Sequence, residues 1–137
     1  MSEALRALAR FLPAFEAPDF RVGDWAGMEE VEPGVRTMPY VRYSDVVEDF
    51  FHAACKHGWV RSHFDWGAWK NTDEAKALRD DEAMLAAATP EQLARMLTTV
   101  IRQDRFVEGA LLGAFETGMI LGIVRRAAAL LAANEGP

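Results

Sequence analysis

Apolar residues recur at helical spacing in several stretches of the chain, and polar or helix-breaking residues separate these stretches. The first stripe follows Ser2, and Pro13 predicts that this helix ends near Leu12, because proline lacks the N–H group that a helix requires. The second stripe follows Ser44 and stops before Gly58, a residue type that often ends a helix in the left-handed conformation. Both patterns predict amphipathic helices.

The second half of the chain is predicted to be helical as well. The pattern indicates short helices around residues 65–70 and 80–88, and Thr89-Pro90-Glu91-Gln92 has the hydroxyl, proline and glutamine of a capping box. An apolar stripe then continues to Gly118, and a last helix is expected from Met119 to about Ala133. The short connection at Gly118 predicts that these two long helices pack antiparallel.

The stretch at about residues 16–43 shows no helical stripe. It holds three prolines and three glycines. Partial alternation of apolar and polar residues at 35–43 allows an extended segment or an edge strand, but Pro39 excludes a central strand because proline cannot donate to the ladder. An irregular segment of this length is commonly packed by its own side chains, such as Trp25 and Tyr40. The sequence therefore predicts a single all-α domain of five or six helices spanning residues 1–137, with this irregular loop folded over one side.

Composition excludes several classes of protein. The net charge is −6, from 15 basic and 21 acidic residues, and this charge opposes binding to nucleic-acid phosphates. No segment approaches the roughly 20 apolar residues that a membrane span requires, and charges interrupt the start of the chain where a secretory signal needs an apolar run. The single cysteine, Cys55, excludes a disulfide within the chain. We expect a cytoplasmic domain that uses neither a membrane nor nucleic acid.

Cys55, His57 and His63 are the candidate metal ligands, but their spacing matches no zinc motif. Cys55 also lies on the apolar face of its helix, so we expect a buried thiol and no metal site. The sequence contains no nucleophile–base pair, phosphate-binding glycine loop or paired-histidine helix, so no catalytic residue and no cofactor is assigned. Whether the protein is an enzyme stays open.

Four aromatic residues lie close together in the sequence: Trp59, Phe64, Trp66 and Trp69. Aromatic residues beside basic ones are typical of single-stranded nucleic-acid binding, but the neighbouring charges here are mostly acidic. We therefore favour packing in the core or against a loop. A small apolar pocket or a partner surface is the alternative interpretation.

The C-terminal part of the chain is less acidic than the rest, with five arginines and four acidic residues between residues 91 and 126. Arg102, Arg105 and Glu108 follow at intervals of three, so on one continuous helix they share a face. Two guanidinium groups there can hold a phosphate or carboxylate, with Glu108 as a base or orienting group. An ion-pair network between helices is the more common role of such arginines.

The residues around these arginines resemble a known family. Arg102-x-x-Arg105-Phe106-x-x-Gly109, followed by Gly118-x-Ile120, is similar to an R-x-x-R-F-x-x-G helix and a G-x-I helix of a small bacterial domain family of unknown function. Further similar segments are Met38-Pro39-Tyr40, Tyr43-Ser44-Asp45, Phe11-Leu12-Pro13 and Phe15-Glu16. The resemblance covers about residues 5–130 and implies a mostly helical domain, without an activity, a cofactor or a catalytic residue.

The function stays open between two hypotheses. The lack of a catalytic constellation and the aromatic cluster favour a non-catalytic interaction or regulatory module, whose partner is another protein or a second copy of the chain. The alternative is a binder of, or an enzyme acting on, a small anionic ligand. Arg102 and Arg105 would hold that ligand, with Glu108, Tyr40 and Tyr43 beside it.

Overall fold

Helices account for most of the chain in a computed structural model that describes residues 2–27, 30–36 and 38–134. In chain order they are Ser2–Ala9 (α1), Leu12–Glu16 (α2), Asp45–Lys56 (α3), Trp66–Trp69 (α4), Asp73–Asp80 (α5), Glu82–Ala86 (α6), Pro90–Asp104 (α7), Ala110–Glu116 (α8) and Met119–Asn134 (α9). The predicted helical fold class is confirmed, although the helices in these ranges are shorter and more numerous than expected. None of them is long and apolar enough to cross a bilayer.

Several helix ends lie where the sequence signals place them. Gly58 follows α3 with a φ of +80°, the left-handed conformation that glycine adopts without steric cost. At the start of α7, the Thr89 hydroxyl accepts from the Gln92 N–H at 3.1 Å, and the Gln92 side chain accepts from the Thr89 N–H at 2.9 Å. This capping box satisfies two N–H groups that the helix itself cannot, so local chemistry determines where α7 begins.

Pro13 begins a helix instead of ending one. The first helix stops at Ala9, and Pro13 lies in the first turn of α2, where a helix does not need its N–H group. The rings of Phe11 and Phe15 are 5.8 Å apart, and both side chains are buried. The prediction that α1 extends to Leu12 is therefore wrong, because core packing of these rings favours a second short helix.

The long helix predicted up to Gly118 is interrupted. The α7 helix ends at Asp104 and α8 begins at Ala110, so that prediction is also wrong. Gly109 has a φ of +90°, and a Cβ atom on it would lie 2.8 Å from the ring of Trp25. Both the conformation and the close contact require glycine at this position. The apolar residues of the interruption are exposed and do not continue the buried stripe.

Two small antiparallel strand pairs lie in the stretch expected to be irregular. They are Gly23–Ala26 (β1) with Tyr40–Tyr43 (β4), and Glu30–Glu32 (β2) with Val35–Arg36 (β3). In the first pair Trp25 lies opposite Val41, whose side chain is buried. Pro39 precedes β4 and lies outside the ladder, as its missing N–H group requires. The predicted irregular loop therefore contains short strands, and two of them, β3 and β4, lie where the sequence left an edge strand open.

The last helix lies at the centre of one hydrophobic core. Its inward side chains, Ile120, Ile123, Val124 and Ala127, are fully buried. Its main neighbours are α1, α2, α6 and α8, whereas α7 packs mainly against α4 and α8. The expected antiparallel pair of two long C-terminal helices is therefore replaced by a short α8 that contacts both α7 and α9.

Candidate ligand-binding site

Arg102 and Arg105 line an open cavity of about 210 Å³. Arg102 belongs to the last turn of α7, and Arg105 follows as its C-terminal cap, where positive charge also suits the helix dipole. The α3 helix contributes Phe51 and Cys55, which lie four residues apart and therefore on one helix face. The remaining lining residues are apolar: Val60 and Ile101. The cavity thus combines two cations with apolar walls.

The acidic residues that the structure describes do not neutralise these two arginines. Within the part of the chain that the structure describes, neither guanidinium group forms an ion pair or a hydrogen bond with a carboxylate. Arg61, Arg95 and Arg125 do pair with glutamates, at 2.9, 3.5 and 2.8 Å. The ion-pair network that sequence reasoning considered is therefore formed by other arginines.

Cys55 is exposed at this cavity, which corrects the prediction of a buried thiol. The face of α3 that enters the core contains Phe50 and Ala54, and Cys55 lies at its edge. Partial desolvation of the sulfur raises the pKa of Cys55 above its ordinary value of 9.0, although the charges of Arg102 and Arg105 act in the opposite direction. The cavity therefore presents a protonated thiol at neutral pH.

Tyr43 lies in a neighbouring cavity of about 290 Å³ and joins β4 to the start of α8. Its hydroxyl donates to Oδ1 of Asp104 at 2.9 Å and accepts from the Leu112 N–H at 3.2 Å. The same Oδ1 accepts from the Leu111 N–H at 3.0 Å. Burial and the hydrogen bond to Asp104 raise the pKa of Tyr43 above its ordinary value of 10.0. Because the capping Gly109 has no side chain, Tyr43 and Asp104 accept from first-turn N–H groups of α8 that have no partner within the helix.

Glu108 and Tyr40 lie away from the arginine cavity. Oε1 of Glu108 accepts from the backbone N–H of Val41 at 2.6 Å, which ties the turn after α7 to β4. The exposed hydroxyl of Tyr40 accepts from Arg42 at 3.3 Å. Because α7 ends before Glu108, the helix face that this residue was expected to share with the two arginines does not form. Ligand binding by the candidate residues stays a prediction.

The aromatic cluster divides into two buried tryptophans and two partly buried residues. Trp59 and Trp69 are buried, and their indole N–H groups donate to a carbonyl of α1 at 2.8 Å and a carboxylate of α5 at 2.7 Å. Phe64 is partly buried against the core. Trp66 is also partly buried, and it stacks on the exposed Phe106 with ring centres 6.3 Å apart. Core packing is therefore confirmed for Trp59 and Trp69, while Trp66 packs against Phe106 outside the core.

Sequence reasoning missed Phe51 as a cavity wall and Asp104 as a partner of Tyr43. The four-residue spacing of Phe51 and Cys55 was a usable signal once α3 was recognised. The contact between Tyr43 and Asp104 joins residues 61 positions apart, and no local pattern indicates it. Over the described ranges, no group of three or more His, Cys, Asp or Glu side chains could hold a metal ion.

The fold and the site define a mainly helical protein with two arginines and an exposed thiol around one cavity. The chain belongs to the family of unknown function DUF6508, which matches residues 1–133. The resemblance to a family of unknown function is thereby confirmed. The R-x-x-R-F-x-x-G motif that carried the resemblance spans the end of α7 and the following turn, and does not form one helix. No curated protein and no solved structure matches the chain.

Proposed function

We propose that this protein binds a small anionic ligand, a phosphate or a carboxylate, between Arg102 and Arg105, and that it does so in the cytoplasm. The observation that carries the proposal is that both guanidinium groups line one cavity while neither has a carboxylate partner in the described chain. A guanidinium group has five N–H donors in a planar fork that matches oxyanions. The free thiol of Cys55 suits a reducing compartment.

The cavity also limits the size and shape of the ligand. An engineered apolar cavity of about 150 Å³ holds benzene. The space of about 210 Å³ beside Phe51, Val60 and Ile101 can therefore take an anionic group with a compact apolar body. The protonated thiol of Cys55 adds no negative charge that would repel such a ligand. Among the described residues, no base forms a hydrogen bond with the Cys55 thiol, and a nucleophilic thiol requires such a base. This supports a binding role for the cavity over nucleophilic catalysis.

Isothermal titration calorimetry with inorganic phosphate, a sugar phosphate and benzoate tests this proposal. We expect at least one of these anions to bind the wild-type protein. Arg102→Gln and Arg105→Gln each remove charge-assisted hydrogen bonds and should weaken that binding about tenfold or more. Arg61→Gln is the matched control, because it removes an exposed arginine that pairs with Glu91 and does not line the cavity.

The proposal fails if none of the three anions binds, or if Arg61→Gln weakens binding as much as the two cavity variants do. It also fails if Arg102→Gln and Arg105→Gln only lower the melting temperature while the dissociation constant stays unchanged. Denaturation of each variant without ligand separates a loss of stability from a loss of affinity.

A second candidate is a non-catalytic interaction module, supported by the exposed surface after α7. Phe106 is 78% exposed and Val107 is 52% exposed, and Trp66 stacks on Phe106. Exposed adjacent apolar side chains often mark protein interfaces, and tryptophan commonly contributes much of their binding energy. For a second copy of the chain as the partner, sedimentation equilibrium should show a dimer that Phe106→Ser weakens. A monomer at all concentrations would exclude self-association through this surface.

A further inference from the structure

Two depressions meet at Arg79, on a part of the molecule that the proposed function does not use. The first, here called the inner cavity, has a volume of about 210 Å³ and lies among α4, α5, α7 and α8. The second, the outer groove, has a volume of about 390 Å³ and runs between α6 and α9. Arg79, Thr117 and Met119 line both, so the two spaces adjoin at these residues.

The inner cavity has mostly apolar walls. Trp69, Met96, Val100 and Ala114 form them, and all four side chains are buried. The polar atoms of the buried wall residues are already satisfied: the indole N–H of Trp69 donates to a carboxylate at 2.7 Å, and the hydroxyl of Thr99 donates to a backbone carbonyl at 2.8 Å. This space therefore suits an apolar group better than a cluster of water molecules.

Small residues of α8 keep the inner cavity open. Gly113 lines it, and a Cβ atom built on Gly113 would meet no atom within 4 Å. Alanine stabilises a helix more than glycine does at a position with free space, so stability alone does not explain the glycine. Ala110 lines the same cavity, so we expect a larger side chain at either position to reduce its volume.

The outer groove is positively charged although the protein as a whole is acidic. Arg79, Arg125 and Arg126 line it, and Glu82 is the acid among its lining residues. Arg125 is paired with Glu16 at 2.8 Å. By contrast, Arg79 and Arg126 donate to neutral backbone carbonyls at 2.9 and 2.8 Å, and among the described residues neither forms an ion pair with a carboxylate.

We infer that the inner cavity and the outer groove together form a second binding site, which takes a short acyl chain ending in a carboxylate. The chain would lie in the inner cavity, and the carboxylate would lie at Arg79, where the two spaces meet, with Arg126 as the second cation. Apolar walls and unpaired cations adjoin here, and this combination matches a ligand that is apolar at one end and anionic at the other. The site shares no lining residue with the cavity of Arg102 and Arg105.

Hexanoate is the probe, because the inner cavity exceeds the roughly 150 Å³ that holds a six-carbon ring. Titration calorimetry on the full chain compares it with acetate, which has the same carboxylate, and with hexanol, which has a similar chain and no charge. Hexanoate should bind about a hundredfold more tightly than acetate, because four more methylene groups are buried. Its affinity should also exceed that of hexanol about tenfold or more, because only the carboxylate pairs with Arg79.

Variants assign each end of the probe to its part of the site. Gly113→Leu fills the inner cavity and should abolish hexanoate binding, while Gly113→Ala is the control that adds a single methyl group. Ala110→Leu fills the same cavity from the preceding turn of α8 and serves if Gly113→Leu does not fold. Arg79→Gln should weaken hexanoate about tenfold and leave hexanol unchanged. Arg61→Gln should leave hexanoate binding unchanged, since Arg61 lines neither the inner cavity nor the outer groove.

These measurements distinguish a failure of this second site from a failure of the proposed function. Loss of hexanoate binding in Gly113→Leu but not in Arg61→Gln supports the inference even if phosphate and benzoate fail to bind near Arg102. The inference is overturned if hexanoate does not bind, or if a folded cavity-filling variant binds it as the wild type does. Equal affinity for hexanoate and hexanol would also overturn it, because the arginines would then contribute nothing.

Discussion

The hydrogen bond between Tyr43 and Asp104 connects two segments 61 residues apart, and Tyr43→Phe removes it while keeping the ring. The variant changes two contacts. Asp104 loses one of its donors but keeps the Leu111 N–H, and the Leu112 N–H loses the phenolic oxygen that accepts from it. The substitution thereby removes the hydroxyl group that positions the start of α8, while the ring still fills its place in the structure.

The expected loss of stability in Tyr43→Phe follows from these two contacts. A hydrogen bond to an ionised carboxylate contributes about 1.5–3 kcal/mol, and a buried N–H group left without a partner costs about 1–3 kcal/mol. Both groups are only partly buried here, so water can replace part of the loss. We expect Tyr43→Phe to lower the free energy of unfolding by about 2 kcal/mol. In a double-mutant cycle with Asp104→Ala, the coupling energy should be about 1.5 kcal/mol.

Urea denaturation followed by circular dichroism measures both quantities. The pH dependence gives a second readout, since the folded state raises the pKa of Tyr43 above 10.0. Below pH 10 the neutral phenol stabilises the folded protein. As the pH rises above 10, tyrosine ionises in the unfolded chain first, so this stabilisation is lost. The stability difference between wild type and Tyr43→Phe should therefore narrow in alkaline solution.

The explanation would be refuted by a coupling energy below about 0.5 kcal/mol, because residues in direct contact normally exceed it. A stability difference that stays constant well above pH 10 would likewise show that the phenol is not held in its neutral form.

Three further substitutions test local features by urea denaturation. Gly109→Ala should lower the free energy of unfolding more than Gly34→Ala does. Both glycines have a positive φ, which costs alanine about 1 kcal/mol, but only at Gly109 would the new Cβ lie 2.8 Å from a ring atom. Equal losses of stability in the two variants would contradict this contact. Gly113→Ala should raise stability by about 0.5–1 kcal/mol, and a loss would show that the space beside α8 is filled. The hydrogen bond from Trp69 lowers the pKa of Glu74 below its ordinary value of 4.5. The ionised carboxylate therefore stabilises the folded protein, and wild-type stability should fall as the pH drops below 4.5 and the carboxylate takes up a proton. In Glu74→Gln this fall should be smaller.

Local signals predicted the helix boundaries that depend on neighbouring residues. The capping box at Thr89 and the left-handed Gly58 are examples, because each is complete within about four residues. Pro13 was misjudged because its local effect fits both the end of one helix and the start of another. The outcome was decided by where Phe11 and Phe15 pack, which no window of adjacent residues reveals.

The candidate site was predicted in part. Arg102 and Arg105 were selected by their spacing and local charge, and the structure places both at one cavity. Glu108 was assigned to the same face only because the apolar stripe seemed continuous. The break after Asp104 turns it towards β4, where it accepts from the Val41 N–H. Cys55 was expected in the core, and its accessibility depends on how α3 is rotated against its neighbours.

Hydrophobic periodicity and helix caps act over one or two turns, so the order of the residues is enough to predict a mainly helical protein. It also indicates two arginines as the candidate cations of a binding site in an otherwise acidic chain. Which charges are paired and which face a cavity depends on the packing of the helices. Those outcomes depend on contacts between distant segments, such as Tyr43 with Asp104, and the free energy of such contacts exists only once the helices have packed.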